Sequence, residues 1–454
     1  MADRIGTLVI FGAGGDLAKR LLLPGLGGLL ASGRGGELRL IGVDREPMTD
    51  AAWRKRVASS FEAGNAGGAR PAGVVAASRY LQADVTEPDD LKRVLDACTG
   101  TPALYFALPP RVTIAACAAL EKVDLPEGTV FGLEKPFGTD LKSATALNRQ
   151  LLRLAPERDI HRIDHFLGKA TVLNLLGLRF ANRIFEAVWN ADNVEKVELV
   201  FDEQLALEGR AGYYDRAGAL VDMIQSHLLL VMAIVAMEPP SSLDADDLRG
   251  SIAQALRATG VWGGDAVKAS RRARYAAGKV GGKAIPPYVK EDGVDPGRYT
   301  ETLAEVTLAV DNWRWAGVPF VLRSGKALAA KRQEIVVTLK DVPHLPTGLS
   351  GRQDPAQLRI SLTPDGIRLD LNINGEGNPF TLDRVTLGAD FAEGELAPYG
   401  EVLAGILSAD PTLSVRADAV EECWRIVTPI LAAWKKGTVP MQEYRAGSDG
   451  PRAW

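Results

Sequence analysis

The chain has 454 residues, of which 46% are hydrophobic and 24% charged, and its 53 basic and 57 acidic side chains give a formal net charge of −4. This near balance argues against a general attraction for nucleic acid or an anionic membrane, so a bound anion must be met by a local cluster of charges. The length predicts about two or three domains, and 3 cysteines without a C-x-x-C pair argue against a disulfide scaffold or a cysteine zinc site.

The amino terminus is predicted to be a strand, because its apolar run lacks the basic region and cleavage site of a signal peptide. Apolar runs elsewhere fall short of the roughly 18 residues that a membrane span needs. The sequence therefore predicts a cytoplasmic protein that binds neither nucleic acid nor a membrane.

The chain has 4 histidines, His161, His165, His227 and His344, which leave few candidates for a general base near neutral pH.

The first third of the chain alternates predicted strands and helices. This alternation predicts parallel strand pairing through right-handed crossovers, and hence a doubly wound Rossmann sheet in a dinucleotide-binding domain over residues 1–161. The predicted strands cover residues 7–11, 38–43, 79–85, 103–108 and 129–133. The predicted helices cover residues 51–61, 88–98 and 112–122.

The glycine cluster after the first predicted strand forms a strand, a tight turn and a helix start in TLVIFGAGGDLAKR. Gly12, Gly15 and Ala18 follow a G-x-x-G-x-x-A spacing, a variant of the usual dinucleotide pattern. Glycines let the main chain approach a pyrophosphate, and the amides of a helix that begins near Asp16 favour the anion. A structural glycine turn is the alternative.

Charged residues follow two further predicted strands. Asp44 and Arg45 end the second strand, where an acid accepts the ribose hydroxyls of NAD and an arginine pairs with the extra phosphate of NADP. Lys135 follows the fifth strand, at the edge where doubly wound sheets bind ligands. A solvated charge pair and a surface lysine are the alternatives.

The pattern changes after about residue 160. A helix over about Asp164–Trp189, a strand at 194–201 and a helix over 216–237 precede a region dominated by strands. The remaining predicted elements are strands at 303–310, 334–339, 358–362 and 367–373, and a closing helix over 417–435. Consecutive hairpins predict a large, mainly antiparallel sheet flanked by helices, in an α+β substrate-binding and oligomerisation domain over residues 162–454. The segment 263–296, rich in glycine, lysine, arginine and proline, is predicted to be a surface excursion.

The densest group of charged residues is HRIDHFLGK, residues 161–169. If this segment is helical, His165 and Lys169 share a face and suit a phosphate, while Asp164 points about 100° away and is free to orient a histidine. His227 lies among apolar residues in DMIQSHLLLVM, and the scarcity of imidazoles makes it a candidate base. A charged helix start and a core histidine are the alternatives.

Taken together, these residues resemble the glucose-6-phosphate dehydrogenase family over nearly the entire chain. The matching motifs, in order, are GAGGDLAKR (12–20), YFALPP (105–110), EKPFGTDL (134–141), RIDHFLGK (162–169), LRFANRIF (178–185), EGRAGYYD (208–215), DMIQSH (222–227) and VPFVLRSGKAL (318–328). The last motif belongs to a basic cluster that also contains Lys331 and Arg332.

The resemblance implies oxidation of the anomeric hydroxyl of glucose 6-phosphate, with hydride transfer to NADP and release of 6-phosphogluconolactone. It implies that His227 is the general base, that Asp164 orients it, and that Lys135 contacts the reacting end. The implied phosphate ligands are His165, Lys169 and Lys331. The implied sugar ligands are Lys135, Glu203, Asp222 and Lys326. The implied coenzyme contacts are Gly12, Gly14, Gly15, Asp16, Leu17, Lys19, Arg45, Leu108, Pro109 and Lys135. The resemblance also implies a homodimer or homotetramer, and no metal is expected.

This chain departs from the family pattern at a few positions. Phe166 replaces a tyrosine whose hydroxyl points at the phosphate, which predicts a weaker hold on the phosphate, and Ala170 stands where glutamate is usual. Gly14 replaces a hydroxyl residue and Asp44 a small neutral one, so NAD is expected to be used appreciably. A sugar dehydrogenase of the glucose-fructose oxidoreductase type and a silent dinucleotide-binding regulator are the competing hypotheses.

Overall fold

A computed structural model describes residues 5–209, 211–375, 377–392, 394–452 and 454. The chain divides into two compact units that are discontinuous in sequence. Unit 1 comprises Met1–Ala170, Pro240–Ala253 and Gly394–Trp424. Unit 2 comprises Thr171–Pro239, Gln254–Glu393 and Arg425–Trp454. The predicted two-domain division after residue 161 stays a prediction.

The parallel sheet of unit 1 has the strand order β3-β2-β1-β4-β5-β6 among the described residues. Its strands are β1 (Ile5–Phe11), β2 (Arg39–Asp44), β3 (Arg79–Gln82), β4 (Thr101–Phe106), β5 (Val130–Glu134) and β6 (Ile160–Ile163). The central strands are continuous apolar runs because helices cover both faces of the sheet. The predicted doubly wound sheet is confirmed, and β6, which contains His161, is a strand that the sequence analysis missed.

The helices of the first 154 residues connect these strands. They are α1 (Leu23–Ala31), α2 (Asp50–Ala63), α3 (Ala69–Ala77), α4 (Pro88–Asp96), α5 (Pro110–Leu120) and α6 (Leu141–Leu154). A π-helical stretch, Ala18–Leu22, leads into α1. Helical backbone begins at Asp16, where the sequence predicted a helix start.

The later helices are distributed over both units. They are α7 (Ala170–Phe180), α8 (Arg183–Glu186), α9 (Ala211–Ala219), α10 (Leu229–Ala236), α11 (Ala245–Arg257), α12 (Pro398–Ser408) and α13 (Ala417–Lys435). Within unit 1, α12 completes the core around β1: Leu403 and Ile406 are fully buried in the same cluster as Leu26. Unit 1 therefore depends on a segment more than 200 residues away in sequence.

The sheet of unit 2 is large and mainly antiparallel, and its order is β15-β18-β17-β16-β14-β7-β13-β12-β9-β19, with β8 paired to β12. The strands are β7 (Val194–Asp202), β8 (Thr259–Val261), β9 (Ser270–Ala276), β10 (Gly278–Val280), β11 (Lys283–Ile285), β12 (Leu303–Val310), β13 (Phe320–Gly325), β14 (Arg332–Leu339), β15 (Ser350–Gly351), β16 (Gln357–Leu362), β17 (Asp365–Asn374), β18 (Thr381–Asp390) and β19 (Met441–Arg445). β10 and β11 form a separate hairpin. The predicted fold class is confirmed.

One predicted segment is wrong in part. Residues 263–296 were predicted to be a surface excursion, yet β9 lies inside the large sheet with Ala273 and Tyr275 at 0% and 1% exposure. Ser270, Arg272 and Arg274 occupy alternate positions of β9. Because these residues are polar, the sequence of β9 did not show the apolar pattern of a buried strand, although the neighbouring Ala273 and Tyr275 are buried. Residues 278–285 of the segment form a hairpin whose residues are half-buried or exposed.

The helical run Ala211–Ala236 is long and apolar enough to cross a membrane by length and composition. In the folded chain 89% of its apolar window is buried. Burial against the sheet of unit 2 accounts for its composition, since a helix that is apolar on all sides belongs inside a protein core or a membrane.

Candidate active site

The glycine turn after β1 brings the main chain of two loops together. Gly12 has a φ of +80°, and a Cβ on it would lie 2.3 Å from the carbonyl oxygen of Ala107. The Gly15 amide donates to the Gly12 carbonyl at 3.0 Å, which closes the turn. Only glycine satisfies both the left-handed backbone and the close approach at position 12.

Asp44, the last residue of β2, reaches back to this turn. Its Oδ2 accepts a hydrogen bond from the Gly14 amide at 2.9 Å, and its Oδ1 accepts one from the Arg45 amide at 2.8 Å. A Cβ on Gly14 would lie 2.8 Å from Oδ2, so the carboxylate occupies the space that a larger residue at 14 would need. The sequence placed Asp44 and Gly14 in the same site but did not predict this contact.

A pocket of about 340 Å³ opens beside the Asp44 carboxylate. Among its lining residues are Gly12, Asp44, Arg45, Leu108 and Pro109. The fold thus brings together predicted coenzyme contacts from three loops. The Arg45 side chain is 78% exposed and lies 3.8 Å from the Glu46 carboxylate.

The helix start that follows the turn carries the remaining predicted coenzyme contacts. Gly15, Asp16 and Lys19 are exposed and Leu17 is half-buried. A cation that the sequence analysis missed lies nearby, because Arg56 of α2 donates to the Gly14 carbonyl at 2.7 Å. No pattern in the sequence links a residue in the middle of α2 to a turn 42 residues earlier.

The carboxyl end of β5 holds a half-buried acid, Glu134, next to Lys135. Glu134 accepts a hydrogen bond from the buried Tyr105 hydroxyl and another from the Tyr399 hydroxyl. Burial raises the pKa of Glu134 to about 7, although both tyrosine hydrogen bonds and Lys135 act to lower it. The Lys135–Pro136 peptide bond is cis.

The predicted helix over about Asp164–Trp189 is confirmed in part, because α7 and α8 lie within it. Its start at Asp164 is wrong, since residues 165–168 form a turn and α7 begins at Ala170. The Asp164 Oδ1 accepts a hydrogen bond from the Phe166 amide at 3.0 Å. An aspartate that bonds main chain two residues ahead favours a turn over a helix. The fully buried Asp164 and the half-buried His165 and Lys169 therefore lie on a turn, and their side-chain directions do not follow helical spacing.

Aromatic rings surround the charged groups of this turn. The Lys169 ammonium lies 4.7 Å from the centroid of the Phe166 ring. The His165 imidazole stacks on the Tyr399 ring of α12, with centroids 5.7 Å apart and planes at 14°. Nothing in the sequence around Tyr399 points to this role, since no local pattern connects residue 399 to residue 165.

In unit 2, strand register creates an ion pair. β7 and β13 are parallel, with Asp202 opposite Gly325, so the residues that follow, Glu203 and Lys326, lie side by side. The Lys326 Nζ is 2.7 Å from the Glu203 Oε2, and it lies 5.2 Å from the centroid of the Tyr214 ring. Both charged side chains are about four-fifths buried.

The helical run after Gly218 carries the predicted base of unit 2. Its stretch Leu220–Leu228 is π-helical and includes Asp222 and His227, which is 2% exposed. Gly218 has a φ of +66°, and the Glu301 carboxylate fills the space beside it and accepts a hydrogen bond from the Leu220 amide at 3.0 Å. Burial raises the pKa of Glu301 to about 7.

A polar pocket in unit 2 collects three predicted sugar ligands. Glu203, Asp222 and Lys326 line it together with Tyr213 and Tyr214. Lys331 lies outside that lining, on the exposed chain before β14. Arg210, in the motif at 208–215, lies outside the described residues.

The other two histidines differ from these. His161 is 1% exposed in β6, and its Nδ1 is 3.0 Å from the Ser414 hydroxyl. Burial lowers the pKa of His161 to about 3. His344 is exposed. His161 is therefore a core residue of unit 1.

Comparisons with known proteins agree over the full length. The family described as glucose-6-phosphate dehydrogenase, NAD binding domain, matches residues 9–174, and the C-terminal domain of glucose-6-phosphate dehydrogenase matches residues 176–454. The chain is 38% identical over 480 residues to glucose-6-phosphate 1-dehydrogenase of Gluconobacter oxydans, which covers 98% of this chain and 94% of that protein.

Solved structures agree as well. The crystal structure of glucose-6-phosphate 1-dehydrogenase from Mycobacterium avium is similar with a TM-score of 0.86 and 33% identity, over 100% of this chain and 96% of that one. A glucose-6-phosphate dehydrogenase in complex with its substrate glucose-6-phosphate is similar with a TM-score of 0.89 and 28% identity, over 100% of this chain and 97% of that one.

Proposed function

The chain belongs to the glucose-6-phosphate dehydrogenase family, and on that premise we propose that it oxidises D-glucose 6-phosphate to 6-phospho-D-glucono-1,5-lactone. It is an oxidoreductase of the oxidative pentose phosphate pathway that uses NADP. The observation that carries the proposal is the unit 2 pocket, in which Glu203, Asp222 and Lys326 offer the acceptors and donors that a sugar needs.

The residues present in unit 1 fit a dinucleotide coenzyme. The absent Cβ at Gly12 leaves the main chain close to the β4 loop, and Gly15 and Asp16 are exposed at a helix start, which favours a pyrophosphate. Gly12, Gly14, Gly15, Asp16, Leu17, Lys19, Arg45, Leu108, Pro109 and Lys135 are the proposed contacts. When bound, the coenzyme supplies the acceptor for the hydride that leaves the anomeric carbon.

The same unit supports appreciable use of NAD. The Asp44 carboxylate accepts a hydrogen bond from the Gly14 amide, beside the pocket that Arg45 lines. A carboxylate at the end of the second strand suits ribose hydroxyls better than it suits a phosphate. Arg45 is exposed, so it remains able to meet the extra phosphate of NADP. We infer that both coenzymes are used.

His227 is the proposed general base of the reaction. An imidazole nitrogen of His227 takes the proton from the anomeric hydroxyl as the hydride leaves the same carbon, and Asp164 orients the ring and stabilises its charged form. The fully buried Asp164 carboxylate is held by the Phe166 amide, which gives it a defined direction. Lys135 contacts the reacting end of the sugar.

The substrate phosphate and hydroxyls have separate proposed ligands. His165, Lys169 and Lys331 bind the phosphate. Glu203, Asp222 and Lys326 bind the hydroxyls, and the Glu203–Lys326 ion pair pre-organises two of them. Phe166 contributes a ring under the Lys169 ammonium and no hydroxyl, which is consistent with a weaker hold on the phosphate.

The protein is further proposed to be a cytoplasmic homodimer or homotetramer. Support for assembly comes from β18, in which every residue is half-buried or exposed and Leu387 is 54% exposed, because such a strand face suits packing against a second copy. Sedimentation velocity distinguishes a dimer from a tetramer. Cys98, Cys117 and Cys423 form no disulfide bond in the structure, as expected of a reducing compartment.

A matrix of initial rates tests the proposed function. NADP and NAD are each measured against glucose 6-phosphate and free glucose. Turnover with both coenzymes and a kcat/KM at least 100-fold higher for the phosphorylated sugar are expected. Faster turnover of free glucose would favour a glucose-fructose oxidoreductase activity, and dinucleotide binding without turnover would favour the regulator.

A further inference from the structure

The start of α12 is held tightly against the turn that carries His165. A Cβ on Gly168 would lie 2.8 Å from the Pro398 carbonyl oxygen, and a Cβ on Gly25 of α1 would lie 2.9 Å from the Gly400 amide nitrogen. Both glycines thus permit main chain to approach main chain on either side of Tyr399. The position of Tyr399 is therefore set by packing within unit 1.

The Tyr399 ring and the Phe166 ring hold one imidazole. Tyr399 stacks on His165 at 5.7 Å, nearly parallel, and Phe166 meets the same imidazole edge-on at 5.0 Å and 67°. Aromatic contacts of this kind have preferred geometries, so two of them at different angles restrict the orientation of the imidazole ring.

The hydroxyl of Tyr399 is anchored at its far end. It donates to Glu134, which also accepts from Tyr105, a fully buried residue of β4. Tyr399 is itself 8% exposed. The ring that stacks on His165 is consequently fixed by α12 at one end and by the half-buried Glu134 carboxyl at the other.

We propose that Tyr399 is a positioning residue for substrate phosphate, acting through the imidazole of His165. The proposal rests on the proposed function, in which His165 binds the phosphate. The stacked ring is the part that acts: it holds the imidazole in the orientation that meets the phosphate, so the ring lowers the KM for phosphorylated sugar and leaves the chemical step unchanged.

Replacement of the ring tests the proposal in the full-length protein. Tyr399→Leu is expected to raise the KM for glucose 6-phosphate about three- to tenfold, as the loss of one aromatic pair predicts. Its kcat, its coenzyme KM and its KM for free glucose are expected to stay within twofold of the parent. Tyr399→Phe keeps the ring and is expected to keep the parental KM.

A matched control separates positioning from general loosening of unit 1. Phe61→Leu removes a buried ring from the same core without touching the proposed site, and it should lower the melting temperature and leave every KM unchanged. If Tyr399→Leu does not fold, Tyr399→Met, which fills more of the volume, carries the same expectation.

Two results would overturn the proposal. One is an unchanged KM for glucose 6-phosphate in the folded leucine or methionine variant. The other is an equal rise in KM for glucose 6-phosphate, free glucose and coenzyme, which a merely structural role predicts. Failure of the proposed function looks different, because the parent protein itself would then show no preference for the phosphorylated sugar.

Discussion

The proposed coenzyme contacts of unit 1 and the proposed sugar contacts of unit 2 are held in different ways. In unit 1, Asp44 bonds to main-chain amides and Arg45 is largely exposed. In unit 2, Glu203 and Lys326 pair at 2.7 Å in a mostly buried setting, and His227 is 2% exposed. We therefore expect single exchanges at Asp44 or Arg45 to change the coenzyme preference of unit 1, whereas exchanges at the buried charges of unit 2 should reduce activity.

The largest expected effect tests the buried side of this comparison. His227→Asn removes the proposed base, so kcat for glucose 6-phosphate should fall about 10²- to 10⁴-fold. Coenzyme binding, followed by fluorescence titration, should be unchanged, because the coenzyme contacts are proposed to lie in unit 1. A variant that keeps a tenth of the parental kcat would rule out His227 as the base.

The next effect contrasts the two units by pH. His161 of unit 1 has a pKa of about 3 in the folded chain, below its ordinary 6.5, so the unfolded chain binds more protons between these values. Stability that is present above pH 6.5 is therefore lost as the pH falls towards 3, by about 4 kcal/mol. His161→Gln should remove most of this loss of stability at acid pH, as measured by denaturant unfolding at several pH values.

The change of stability with pH that Glu301 of unit 2 causes has the opposite sign. Its pKa is raised from 4.5 to about 7, so the folded chain binds more protons between these values and its stability falls as the pH rises through that window. Glu301→Gln should flatten this fall. Glu134 of unit 1 has the same sign as Glu301, because its pKa is also raised to about 7. Hydrogen exchange read by mass spectrometry should therefore show the loss of stability near neutral pH in peptides of both units and the loss at acid pH in peptides of unit 1. A loss at acid pH in peptides of unit 2 would contradict this contrast.

A smaller effect tests the proposed coenzyme contacts of unit 1, at the half-buried Asp44. Asp44→Ala removes the carboxylate beside the Gly14 amide, so the ratio of kcat/KM for NADP over NAD should rise about tenfold through relief of like-charge repulsion. Gly14→Thr alone should weaken the binding of both coenzymes, because its Cβ would lie 2.8 Å from the Asp44 carboxylate. The double variant, Gly14→Thr with Asp44→Ala, should recover the use of NADP. Additive effects of the two changes would show that the pair is not coupled.

The smallest expected effect concerns Phe166, which is 3% exposed under the Lys169 ammonium. Phe166→Tyr adds the hydroxyl that the family usually has, and one neutral hydrogen bond predicts a two- to tenfold lower KM for glucose 6-phosphate. The KM for free glucose serves as the internal control and should not move. An unchanged KM for both sugars would mean that the added hydroxyl does not reach the phosphate.

Local sequence patterns predicted much of this architecture. The apolar run before Gly12 became β1, the prediction for 303–310 matches β12, and the closing helix matches α13. These predictions held because burial on one or both faces leaves a periodicity that short windows detect. The prediction of a helix at Asp164 was wrong because a side-chain hydrogen bond to the Phe166 amide competes with helix formation.

The sequence by itself therefore determined the doubly wound sheet, the mainly antiparallel second sheet, the glycine turn and the family. Only the tertiary structure decided that residues 394–424 join unit 1 and that Tyr399 stacks on His165. It also decided that Asp44 accepts a hydrogen bond from the Gly14 amide and that Glu203 pairs with Lys326. The physical reason is that periodicity and turn chemistry are local properties of the chain. Contacts between residues tens or hundreds of positions apart depend on strand register and close packing, which no short segment encodes.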